Sequence, residues 1–124
     1  MKINLSRPDI TELEIKYVTN VLKSSSLSLG PKLPEFEAKV ADFAGTKHAI
    51  AVNSGTSGLH LCVKAIGFSA GDEVITTAFS FIASANCLLF ENARPVFVDI
   101  KPDTLNIDPD KIEQYIKKAI SEGR

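Results

Sequence analysis

Asn53-Ser54-Gly55-Thr56-Ser57-Gly58 follows the small and apolar residues Ala51 and Val52 and runs directly into a helical pattern that ends at Ile66. At the start of a helix the first backbone N–H groups have no internal partner, and the aligned peptide dipoles add partial positive charge. Gly55 and Gly58 remove side chains that would block close approach, and Ser54, Thr56 and Ser57 set hydroxyl donors around the same point. A phosphate is the guest that suits this chemistry. The same residues also read as a plain helix start, with Ser54 or Thr56 as the cap and the glycines easing a turn. Neither GxxxxGK[ST] nor GxGxxG occurs, so the usual phosphate-loop patterns do not choose between these readings.

A second group, Thr76 to Asn86 ("TTAFSFIASAN"), follows the end of an apolar run. Ligands of open α/β sheets collect beyond the carboxyl ends of strands, so two such junctions face one crevice. Phe79 or Phe81 could stack on a flat ring there, and either could equally be core; residue type alone favours core.

Positioning these groups requires strands that alternate with helices. His48 to Val52 reads as a short buried strand, and Thr56 to Ile66 as a helix stopped by Gly67. Gly71-Asp72 turns into a strand around Glu73 to Thr76, residues 81–91 form a helix, and 94–100 a third strand. Asp108 with Pro109 then caps a helix through Ile112, Ile116 and Ala119 or Ile120. Upstream, Thr11 and Glu14 make a capping box, and Leu13, Tyr17, Val18, Val21 and Leu22 mark one face of a helix reaching about Lys23. A long Ser, Gly and Pro loop, 24–34, leads through Pro34 into a helix with Phe36, Val40 and Phe43 on one face and Gly45 as its stop. The expected class is α/β, a mostly parallel sheet with flanking helices, unfinished at three strands.

At 124 residues, 44% hydrophobic and 23% charged, the chain falls among ordinary globular sequences and defaults to one domain. A net charge of -1 provides no basic stripe for nucleic acid and no polybasic cluster for a membrane. No apolar run approaches the length of a membrane span, so the default location is cytoplasmic. Cys62 and Cys87 belong to no metal-ligand spacing and read as packing thiols; no metal site is expected.

Taken together, "SSSLSLGPKLPEFEAKVADFAGTKHAIAVNSGTSGLHL", "GDEVITTAFSFIASAN" and "ARPVFVDIKPDTLNID" resemble the N-terminal part of the DegT/StrS-type sugar aminotransferases, enzymes of fold type I that use pyridoxal 5'-phosphate. The resemblance covers nearly the whole chain. It implies that 1–33 hold an N-terminal helix and a substrate-side loop, and that 34–124 begin the cofactor-binding α/β core. It implies that the amides and hydroxyls of Thr56 and Ser57 hold the cofactor phosphate, that Gly55 supplies clearance, and that Phe81, after Ser80, stacks on the pyridine ring. Phe79 then remains a packing residue. It also implies a nucleotide-linked keto sugar as substrate, an amino-acid donor and a homodimer. Gly58 stands where the family often has Ala, and Thr77 where Pro is common.

Transamination needs a Schiff-base lysine and an acid beside the pyridine nitrogen. By resemblance both fall beyond Arg124, so no catalytic residue is assigned here, and the chain by itself is expected to be inactive. Lys64 reads as a solvated residue two turns into its helix, Asp99 and Asp103 as turn or cap residues, and His60 as a satisfied, partly buried imidazole. A relative that carries histidine for the lysine and dehydrates the sugar shares the same motifs. A free-standing phosphate-binding module is the reading from another class.

Overall fold

The computed structural model describes residues 3 and 6–124. Met1, Lys2, Asn4 and Leu5, at the start of the expected N-terminal segment, lie outside them. The chain forms two compact units, Met1–Ala51 and Val52–Arg124.

In the first unit, α1 (Glu12–Leu22) starts on the expected capping box: the Leu13 N–H donates to Thr11 Oγ1 at 3.2 Å, and the Thr11 N–H to Glu14 Oε2 at 2.7 Å. The Thr11 hydroxyl also donates to Glu14, and that bond, followed by the backbone ones, holds the Glu14 carboxyl below its ordinary range. Helix α2 (Lys32–Ala44) begins two residues before Pro34 and stops at Gly45, whose φ of 66° is a left-handed geometry that favours glycine. Glu35 lies 2.6 Å from Lys32 Nζ and 2.8 Å from Lys39 Nζ, and these partners lower its pKa to about 2.

The expected strand at His48 to Val52 forms no ladder with any described strand. The Ala51 N–H goes to Glu37 Oε1 at 2.8 Å, and Ile50 is 79% exposed. A strand exists only by exchanging N–H and C=O groups with a neighbour; here a carboxylate takes that donor.

The second unit contains α3 (Gly55–Ile66), β1 (Glu73–Thr77), α4 (Ala83–Leu89), β2 (Arg94–Val98) and α5 (Pro109–Ser121). The described sheet therefore has two strands, not three, and they are parallel, with Glu73 opposite Arg94 and Thr77 opposite Val98. Parallel strands need a crossover, which α4 supplies. Val63, Cys87, Leu88 and Ala93 form the core, with Phe68 and Val74 packed against it. Asn92, left-handed at φ 59°, reverses the chain after α4, and the Ala93 N–H returns to the Leu88 carbonyl at 3.1 Å.

Both later elements are shorter than the patterns suggest. The helix over 81–91 is limited to Ala83–Leu89, and the strand over 94–100 stops at Val98. Ile100 instead pairs antiparallel with Ile107, and the Asp108 N–H donates to the Asp99 backbone carbonyl at 2.9 Å beside that bridge. Asp108 caps α5 through the Asp110 N–H at 2.9 Å, with Pro109 at the first helical position. Tyr115, Arg94 and Arg124 converge on the Glu73 carboxylate and tie α5 to the start of β1. Cys87 is buried, as a packing thiol should be; Cys62 is exposed, because it lies on the face of α3 turned away from the core. No helix among the described residues is long and apolar enough to cross a membrane.

Candidate functional site

Ser54 precedes α3 with extended backbone, and its Oγ accepts the Ser57 N–H at 3.1 Å. The Ser57 hydroxyl donates to Asn53 Oδ1 at 2.7 Å, and the two serine oxygens stand 3.0 Å apart. Because the proton of Ser57 goes to Asn53, the bond between the serines uses the proton of Ser54. Both hydroxyls and the Ser57 N–H are thus engaged within the turn. Among the described residues, the N–H groups of Gly55 and Thr56 and the Thr56 hydroxyl have no partner, and they are the donors left at the positive end of α3.

The two glycines differ. A Cβ at Gly55 would meet nothing within 4 Å, so no neighbouring group crowds the turn on that side. A Cβ at Gly58 would meet Val52 Cγ2 at 3.5 Å, an ordinary contact within a regular helical turn. Gly58→Ala should therefore raise stability by about 0.5–1 kcal/mol, read as a higher urea midpoint.

Gly55, Thr56 and Ser57 come together in one turn, as the sequence indicates. Phe81 precedes α4, and its carbonyl accepts the Ser84 N–H at 3.0 Å, so its backbone moves with that helix. Its ring is 77% exposed and free to meet a ligand. Phe79 is 61% exposed and does not pack in the core; with Thr77, Ala78, Val98, Asp99 and Ile100 it lines a cavity of about 260 Å³. Asn53 escaped sequence reasoning, although Asn four residues before Ser at a helix start was the available signal.

His60 is partly buried and satisfied, as expected. Its Nε2 lies 2.6 Å from Glu91 Oε1, and Lys64 Nζ lies 3.1 Å from the same oxygen. The bond from His60, then the bond from Lys64, holds the Glu91 carboxyl below its ordinary range. A carboxyl whose pKa falls on folding adds stability that is complete above its unfolded pKa, about 4.3, and is lost as pH drops through the folded value. The stability gap between the unsubstituted chain and Glu91→Gln should therefore close on acidification below about pH 4, as measured by urea unfolding across pH.

Comparison with known proteins places these features in a family. Residues 8–121 match the DegT/DnrJ/EryC1/StrS aminotransferase family. The spore coat polysaccharide biosynthesis protein SpsC of Bacillus subtilis (strain 168) is 51% identical over 111 residues, covering 90% of this chain and 28% of SpsC. GDP-perosamine synthase of Caulobacter vibrioides is 41% identical over 116 residues, covering 93% of this chain and 31% of that enzyme. The solved structure of Spr1654 from Streptococcus pneumoniae in its PLP form superposes with a TM-score of 0.84 at 38% identity, covering 92% of this chain and 29% of that one. The chain thus spans less than a third of the length of each of these relatives.

Proposed function

Because the chain belongs to the DegT/DnrJ/EryC1/StrS aminotransferase family, we propose that it supplies the cofactor-phosphate part of a pyridoxal-phosphate-dependent aminotransferase that acts on a nucleotide-linked keto sugar. The observation that carries this reading is the first turn of α3, where the Gly55 and Thr56 N–H groups and the Thr56 hydroxyl stand open and no neighbouring group crowds Gly55. Three donors and a positive helix end fit a phosphate monoester dianion. The similarity to a structure in its PLP form supports pyridoxal phosphate as the compound that carries this phosphate, and the similarity to GDP-perosamine synthase supports a nucleotide-linked sugar as substrate. An amino-acid donor and a homodimeric enzyme complete the proposal.

In this reading Gly55 and Thr56 bind the phosphate first. Ser57 joins them once its hydroxyl turns from Asn53 to the ligand, and Phe81 covers one face of the pyridine ring. The cofactor, when bound, supplies an electron sink for the carbon that bears the amino group. Among the lysines, Lys64 is held by Glu91 more than two turns from the start of α3, and so does not serve as the amine that joins the cofactor aldehyde. In this reading the 124 residues alone bind the cofactor without transaminating.

Titrating pyridoxal 5'-phosphate with the chain and following its ³¹P resonance tests the reading. The expected result is a saturable shift that inorganic phosphate reverses and unphosphorylated pyridoxal does not. A resonance unmoved at millimolar chain would overturn the cofactor assignment. Formation of a keto acid from glutamate in the same sample would overturn the inactivity of the chain by itself.

A further inference from the structure

Glu91 lies between the end of α4 and β2, yet both of its carboxylate oxygens face α3. His60 Nε2 is 2.6 Å from Oε1, and Lys64 Nζ is 3.1 Å from Oε1 and 3.3 Å from Oε2. The Glu91 side chain is only 17% exposed, so these bonds are partly shielded from water. The His60 ring also meets Phe90 edge-on, with centroids 5.0 Å apart. One imidazole thus has a polar and an aromatic partner on the segment that leaves α4.

The consequence concerns register. Helix α3 carries the open donors in its first turn, with His60 one turn after Thr56; α4 carries Phe81 through the bond from the Ser84 N–H. Between the helices, Val63 meets Cys87 and Leu88 in the core. Apolar contact of this kind has no preferred direction, so it specifies the register of the helices less sharply than directed bonds do. Hydrogen bonds tolerate little change in distance and angle, so the bonds to Glu91 define where α3 stands along α4.

We propose that His60 and Glu91 are positioning residues that set the separation between the donors at the start of α3 and the Phe81 ring, and so select ligands that carry a phosphate and a flat ring at one span. The inference rests on the cofactor reading above. A ligand with a phosphate alone feels only one end of this arrangement, whereas pyridoxal 5'-phosphate feels both.

That difference provides the test. Affinities for inorganic phosphate and for pyridoxal 5'-phosphate are measured on the unsubstituted chain, Glu91→Ala, His60→Ala and the double variant, each checked by far-ultraviolet circular dichroism. Each single variant should bind pyridoxal 5'-phosphate about fivefold more weakly, with the induced dichroism of the bound ring reduced and inorganic phosphate affinity unchanged. The double variant should lose less than the two single losses combined, because the His60–Glu91 bond is removed in each of them, while the Lys64 bonds to Glu91 and the His60 contact with Phe90 are removed in only one. His60 is one-third exposed on its helix, so His60→Ala keeps the test available if Glu91→Ala does not fold. Equal weakening of both ligands, or no change in either, overturns the inference while leaving the cofactor reading intact. Failure of the unsubstituted chain to bind either ligand overturns that reading, and the inference with it.

Discussion

Gly55→Leu should lower the affinity for pyridoxal 5'-phosphate by about a hundredfold while leaving the fold intact. Two open N–H donors bonded to a phosphate dianion contribute about 1.5 kcal/mol or more each, and about 3 kcal/mol corresponds to that factor. In the proposed reading a leucine side chain at this position crowds the approach of the phosphate to the adjoining donors, while its Cβ meets nothing of the protein within 4 Å. Stability should hold or rise slightly, since leucine is a better helix former than glycine. The measurement is the ³¹P titration beside a urea melt. Lost binding together with a lost fold would mean that Gly55 is needed for the turn itself; retained binding would mean that the phosphate is held elsewhere. Gly58→Ala, in the same turn but facing Val52, should leave the titration unchanged and serves as the control.

Leu88→Ala should destabilise the second unit by about 2–5 kcal/mol, through the lost transfer of its side chain and the cavity left behind. Leu88 is 3% exposed and packs with Val63, Cys87 and Ala93, so no solvent-filled space lies ready to collapse onto. Against total stabilities of about 5–15 kcal/mol this is a large fraction. The neighbouring Leu89 is 54% exposed, and Leu89→Ala should stay within about 0.5 kcal/mol. Urea unfolding followed by tyrosine fluorescence in a Tyr17→Phe background, where the signal comes from Tyr115 of the second unit, separates the two variants. Equal midpoints would mean that α4 does not carry the core.

The elements most legible in the sequence are those governed by bonds a few residues long. Thr11 with Glu14, Ser54 with Ser57 and Asp108 with Asp110 cap their helices through side-chain contacts two or three positions apart. Gly45 and Gly67 end theirs in left-handed backbone that most residues avoid. The candidate phosphate turn is legible for the same reason, because every group in it lies within Asn53 to Gly58. His60 also reads correctly as satisfied, but its partner is 31 residues away, and nothing in its own helix points to Glu91.

Pairing across the chain is where local pattern fails. Residues 48–52 have the composition of a strand, but whether such a run forms one depends on a neighbour and on what else captures its donors; here Glu37 takes the Ala51 N–H. Cys62 and Cys87 look alike as residues on helices, and only the packing of α3 on α4 exposes one and buries the other. Phe79 likewise lies outside the core that its residue type favours, at 61% exposed. The sequence by itself determined the side-chain caps of α1, α3 and α5 and the glycine stops of α2 and α3, since each is decided by short-range hydrogen bonding and backbone sterics. Tertiary structure alone decided which strands pair, which thiol is buried and which carboxylate joins α3 to α4, since each depends on groups brought together from distant parts of the chain.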